Sequence, residues 1–207
     1  FLVWTGVKSG IEVPNEPDKV IDGYPAYHWK KIKPFDDFET VSEVGTIDIE
    51  NYHFKGKTSL TDPELPITAI SLWNFEQNVM YQHVFDPGEP FEKFVKPKDG
   101  LKGVKGRTYE CPIRFHSSEQ SLLNGFVNDF QKIDCDINTG WNSDFDFDYI
   151  INRAKKIGVD MEHLSPWAKF LYKPVEVYGK EPHIAGRVLM DEMFVYLKHT
   201  MFEGLKH

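Results

Sequence analysis

Residues Ile133–Ala154, IDCDINTGWNSDFDFDYIINRA, run from an apolar strand-length segment, through a polar turn, into an amphipathic helix. A strand that passes directly into a helix points to a layered arrangement, because the helix has to bury its apolar stripe on a neighbouring sheet. One carboxylate, Asp146, sits where the turn becomes the helix. The rest of the chain is therefore read for elements that extend this unit and for acids that could join Asp146.

Three strand-like runs come earlier: Val44–Glu50 (VGTIDIE), Ile67–Trp73 (ITAISLW) and Val79–Phe85 (VMYQHVF). The second and third are separated by the polar stretch Asn74–Asn78 and read as a hairpin with a long loop. Ser117 to Gln120 fits a capping box, and Leu122, Leu123, Phe126, Val127 and Phe130 follow at helical spacing. Ile133–Thr139 reads as a fourth strand and Ile184–Met190 as a fifth. Helices are predicted over Phe147–Ile157, with Phe147, Ile150, Ile151, Ala154 and Ile157 on one face, and over Met193–Leu205. The expectation is an α/β fold with a mixed five-stranded sheet flanked by helices. Its first three strands are antiparallel, and the fourth and fifth run parallel to the first through right-handed crossovers.

Residues 1–43 are punctuated by Pro14, Pro17, Pro25 and Pro34 and carry scattered aromatics such as Trp4, Tyr24, Tyr27 and Trp29. They read as an irregular lead-in, the remnant of a preceding domain, with the main domain at residues 44–207. Residues 91–107 carry Lys93, Lys96, Lys98, Lys102, Lys105 and Arg107 among glycines and read as a basic, flexible connection.

Two cysteines, Cys111 and Cys135, give no CxxC pair, which disfavours structural zinc and suits a reducing cytoplasm. No apolar run reaches the ~18 residues of a membrane span. A formal charge of -8 argues against a protein that simply coats nucleic acid. It leaves open a nuclease, whose own metal-binding acids add negative charge. The chain does not begin with Met, and the expectation is a trimmed or partial sequence.

Acids on short connections beside a buried sheet are a common setting for metal-dependent phosphodiester chemistry. D-x-E triplets occur at Asp37/Glu39, Asp48/Glu50, Asp62/Glu64 and Asp160/Glu162, and with 32 acids in 207 residues the triplet alone decides nothing. Context separates them. Asp48 and Glu50 end a strand, where residues i and i+2 share a face and can meet one cation. The alternative for this pair is a solvated strand end, and for Asp144, Asp146 and Asp148 a helix cap or dipole partner. Asp134, Asp136 and Asn138 imitate the start of a calcium loop, but Phe145 stands where its bidentate Glu belongs. His83 and His116 read as structural.

Taken together, DIE on the first strand, DPELPITAISLW, SSEQSLLNGFVNDF on a capped helix and TGWNSDFDFDYIINR resemble the 3′–5′ proofreading exonuclease domain of B-family DNA polymerases, most closely its tailed-phage branch. The resemblance implies a ribonuclease-H-like fold over about residues 44–205. It places the family's D-x-E motif on Asp48 and Glu50, and its N-x2–3-[FY]-D motif on Asn142, Phe145 and Asp146. Asp48, Glu50 and Asp146 would then hold Mg²⁺ or Mn²⁺, two ions in the complete site. Asn142 and Phe145 would line the cleft for unpaired nucleotides, and the basic stretch could steer the phosphate backbone. The implied partners are a single-stranded DNA 3′ end and the remainder of the polymerase chain, in the host cytoplasm for a phage protein, with no membrane. Asp191, in IAGRVLMDEMFVYLK, does not match a metal ligand of the family. The third motif, Y-x3-D, is not found, and the expectation is a chain that stops before its own site is complete. All of this requires the regions around residues 48 and 146 to converge.

Overall fold

The computed structural model describes residues 10–21, 23–35, 42–52, 59–60, 62–90, 92–96, 98, 100–102, 108–168, 173–175, 179–181 and 184–204. Trp4, Asp37, Glu39, Lys105, Arg107 and Leu205, all named above, lie outside them. The chain divides into two compact units, Phe1–Val41 and Ser42–His207. In the first, β1 (Gly10–Glu12) pairs antiparallel with a later strand, and β2 (Lys19–Ile21) forms a hairpin with β3 (Tyr24–Ala26). The partner of β1 is β4 (Lys33–Phe35).

The second unit is built on one mixed sheet. Its strands are β5 (Val44–Asn51), β6 (Ile67–Asn74), β7 (Val79–Phe85) and β8 (Lys93–Val95). After a small pair, β9 (Leu101–Lys102) with β10 (Thr108–Tyr109), come β11 (Ile113–His116) and β12 (Ile137–Gly140). A second small pair, β13 (Lys173–Val175) with β14 (Gly179–Glu181), precedes β15 (Val188–Asp191). The sheet order is β15-β12-β5-β6-β7-β11-β8. β5, β6 and β7 are antiparallel, β12 is parallel to β5, and β15 is parallel to β12. This is the mixed, helix-flanked α/β arrangement expected of a ribonuclease-H-like fold.

The strand number is corrected from five to seven. The two added strands are too short to show a period of two. β8 lies within the basic stretch, and β11 sits between Pro112 and Ser117. Their pairing comes from neighbours: β11 runs parallel to β7, and β8 closes the edge.

Three α-helices are described: α1 (Glu119–Ile133), α2 (Ser143–Ile157) and α3 (Glu192–Gly204). The apolar faces of α1 and α2 cover the sheet. Leu122, Leu123, Phe126 and Phe130 from α1 and Phe147, Ile150 and Ala154 from α2 join Ile47, Ile67, Ile70 and Leu72 in one core. The cap of α1 is Ser118, whose side chain accepts the Ser121 N–H, rather than Ser117. Ser117 donates instead to Glu92 at 2.7 Å, and Gln120 donates to the Ile157 carbonyl. The helix keeps Ile133, because that residue continues its buried stripe, and ends at Asp134 in the left-handed region. The following strand is therefore Ile137–Gly140, shorter than the predicted Ile133–Thr139. The last strand starts at Val188 rather than Ile184, after a turn through Gly186 at φ +85°.

The segment YIINR is structural. Tyr149 donates to the Leu65 carbonyl (2.7 Å) and Asn152 to the Leu60 carbonyl (2.9 Å). Arg153 donates two bonds to the buried Glu119 carboxylate (2.8 and 2.7 Å) and two more to the Pro63 and Glu64 carbonyls. Glu119 also accepts the Ile67 N–H at 2.8 Å. One cluster thus joins α1, α2, the DPEL segment and the start of β6. Among the described residues no helix is long and apolar enough to cross a membrane.

Candidate active site

β12 runs beside the first half of β5, with Thr139 opposite Thr46. Gly140 then comes so close to β5 that a Cβ there would lie 2.6 Å from the Ile47 carbonyl oxygen. Only a residue without a side chain fits. The chain turns immediately afterwards, and α2 begins next to the strand residue that precedes Asp48.

That turn is made by Asn142, at φ 62° and ψ 34°. Helices usually begin on an extended residue whose side chain caps the first N–H groups. Here the residue is left-handed, and its side chain makes no cap bond. Its own N–H donates to Asp191 Oδ1 at 3.0 Å. The helix starts at Ser143, four residues before the predicted Phe147, because the first turn, SDFD, is polar and shows no apolar stripe of its own. Asp146 therefore stands inside the first helical turn rather than at its boundary, and it is buried at 7% exposure.

Asp48 and Glu50 lie two residues apart on β5, and both are exposed. The strand register slips just past them, between Glu50 and Asn51. The two distant regions meet electrostatically. The Asp146 pKa is pushed up from 3.8 to about 7, first by burial and then by the negative charges of Asp48, Asp191 and Glu50. Asp146 thus stands in a field set up by three other carboxylates.

These donors are all carboxylate oxygens, the chemistry preferred by Mg²⁺ and Mn²⁺. Among the described residues no three His, Cys, Asp or Glu side chains are spaced to close on a single ion. Carboxylate oxygens suit a hard cation in chemistry, but as placed these acids do not close on one, and Asp48 and Glu50 are the exposed members of the group.

The other residues singled out by sequence fall as follows. Phe145 is half-buried and stacks on Tyr149, with ring centres 5.9 Å apart. Asn142 is exposed, and so is Trp141, at 60%. Lys93 and Lys96 belong to or adjoin β8, at the edge of the sheet away from β12, and Lys96 is paired with Glu110 at 2.6 Å. Asp62 pairs with Lys156 (2.6 Å), and Asp160 accepts the Glu162 N–H. The calcium-loop imitation dissolves into structural contacts. Asp134 pairs with Arg187, Asp136 accepts the Glu43 N–H, and Asn138 donates to the Cys135 carbonyl. His83 and His116 form a buried pair, Nδ1 to Nε2 at 3.1 Å.

Sequence reasoning set Asp191 aside. The structure places it at the end of β15, in register with Gly140, with its charge acting on Asp146. The only local signal was an acid where an apolar strand meets a helix.

A helix-flanked mixed sheet, with Asp146 at the start of α2 in the field of acids on β5 and β15, is a ribonuclease-H-like arrangement. The chain belongs to the DNA polymerase family B exonuclease-domain family, which matches residues 30–201. No curated protein matches the chain.

Proposed function

We propose that this domain is a 3′–5′ exonuclease that removes nucleotides from a DNA 3′ end, as the proofreading part of a B-family polymerase. The observation that carries the reading is Asp146, buried at the start of α2 within the field of Asp48, Asp191 and Glu50. Asp48, Glu50 and Asp146 would hold Mg²⁺ or Mn²⁺. Two such ions supply a nucleophilic water and stabilise the leaving oxygen of a phosphodiester.

The chain's own residues do the rest. Burial and the neighbouring acids push the Asp146 carboxyl up to about 7, so holding a cation would require it to give up its proton. Asp48 and Glu50 bring charge from the solvent side of the same cluster. Asn142 offers an exposed carboxamide beside the acids, suited to hydrogen-bonding an unpaired nucleotide. Phe145 presents only part of its ring, because Tyr149 covers the rest.

The test is trimming of 3′-labelled single-stranded DNA in Mn²⁺, together with Mn²⁺ binding. Wild type binds Mn²⁺ weakly and shortens the strand at most slowly, whereas Asp48→Ala does neither. Equal trimming by Asp48→Ala, or no Mn²⁺ binding by wild type, refutes the reading. The spacing of the acids favours a second reading, a catalytically silent ribonuclease-H-like module that binds nucleic acid or supports a polymerase. Single-strand binding with no metal-dependent shortening would identify it.

A further inference from the structure

The left-handed region costs most side chains about 1–2 kcal/mol and Asn less, and Asn142 adopts it at the start of α2 with no side-chain cap bond. What holds the turn comes from a different strand. Asp191 is buried, and its Oδ1 accepts both the Asn142 N–H (3.0 Å) and the Met193 N–H (2.8 Å). One oxygen therefore fixes the start of α2 and the start of α3 together. A second clasp lies beside it, where Thr139 Oγ1 donates to the Met190 carbonyl at 2.7 Å and contacts Glu192 at 3.1 Å. On the other side of β12, the close approach of Gly140 to Ile47 sets the distance to β5. The path from Asp191 through Asn142 to the first turn of α2 is short and stiff. It also leaves the Asn142 side chain out of capping.

We propose that Asp191 is a positioning residue of the acid site. By accepting the Asn142 N–H it fixes the turn from which α2 leaves β12, and so sets where Asp146 stands relative to Asp48 and Glu50. The proposal rests on the reading of those acids as a cation site, but its geometric part can be tested separately.

Asp191→Asn and Asp191→Leu both remove the charge, and only Asn keeps an acceptor oxygen. Comparing them isolates the hydrogen bond. Two quantities are measured on the whole chain: hydrogen exchange of the Asn142 amide, and Mn²⁺ affinity from loss of the free-ion electron paramagnetic resonance signal. The Asn142 amide is expected to exchange at least about tenfold more slowly in Asp191→Asn than in Asp191→Leu. Mn²⁺ affinity is expected to be about 10-fold weaker in Asp191→Leu, as for other residues that orient a metal ligand. A purely structural role would lower the melting temperature of Asp191→Leu and leave the affinity of the folded protein equal to that of Asp191→Asn, which overturns the proposal. If wild type holds no Mn²⁺, the cation reading fails, and the exchange comparison alone decides the positioning role. Equal exchange in the two variants sinks it. Should Asp191→Leu not fold, Asp191→Ala takes its place with the same two outcomes.

Discussion

Replacing Asp146 with Asn should stabilise the metal-free protein, by an amount that depends on pH. The native Asp146 carboxyl keeps its proton up to about pH 7, while the same group in the unfolded chain ionises near 3.8. Stability from this group is thus fully present below about pH 4 and is lost as pH rises through 7. At ~1.4 kcal/mol per pH unit, the loss over that window is about 4 kcal/mol. That is a large part of the ~5–15 kcal/mol that holds a domain folded. Asn has nearly the shape of the protonated acid and does not titrate. Urea unfolding with a chelator present, from pH 4 to 8, should show the two proteins nearly equal at pH 4. Asp146→Asn should then gain steadily and level off about 4 kcal/mol ahead above pH 7. Added Mn²⁺ should close the gap by stabilising only the wild type. A difference that stays flat with pH, or a variant less stable than wild type at pH 8, would refute the claim that burial, helped by the other acids, raises the pKa of this carboxylate.

Three further outcomes follow from packing and charge. Gly140→Ala should cost about 1–3 kcal/mol in urea unfolding and weaken Mn²⁺ binding, because its methyl group meets the Ile47 backbone rather than a movable side chain; unchanged binding would show that the gap between β12 and β5 does not matter to the site. Arg153→Met leaves the buried Glu119 carboxylate without its partner and should destabilise by about 3–5 kcal/mol, measured by the same unfolding. Burial holds the His83 imidazole down at about 3 against the attraction of Asp129, with His116, Arg114 and Lys132 adding to the depression. Stability from His83 is whole above pH 6.5 and should fall toward pH 3 by as much as ~1.4 kcal/mol per unit. This is measured in the Asp146→Asn background to remove the opposite slope, and His83→Gln should flatten it.

The sequence showed the features that local pattern controls. β6 and β7 are apolar and β-branched enough to be read directly, and the buried stripe of α1 is regular. The i, i+2 spacing on β5 put Asp48 and Glu50 on one face, where the structure has them. What stayed hidden depends on contacts between distant residues. β8 and β11 are strands because a neighbour pairs them. Ser117 and Ser118 are adjacent, and Glu92, 25 residues from Ser117, settles which of them caps α1. The first turn of α2 is hidden because Asp191, 49 residues away, does the work of a cap. YIINR supported the family resemblance, yet nothing local reveals that its Tyr, Asn and Arg clasp the DPEL segment.

That clasp limits how the acid group can adapt. Arg153 lies seven residues, about two turns, beyond Asp146, and is bolted to the first residue of α1. The other end of α2 is fastened to Asp191. A rod anchored at both ends cannot swing, so any change in the spacing of Asp146 from Asp48 and Glu50 must come from β5, which slips register just beyond Glu50.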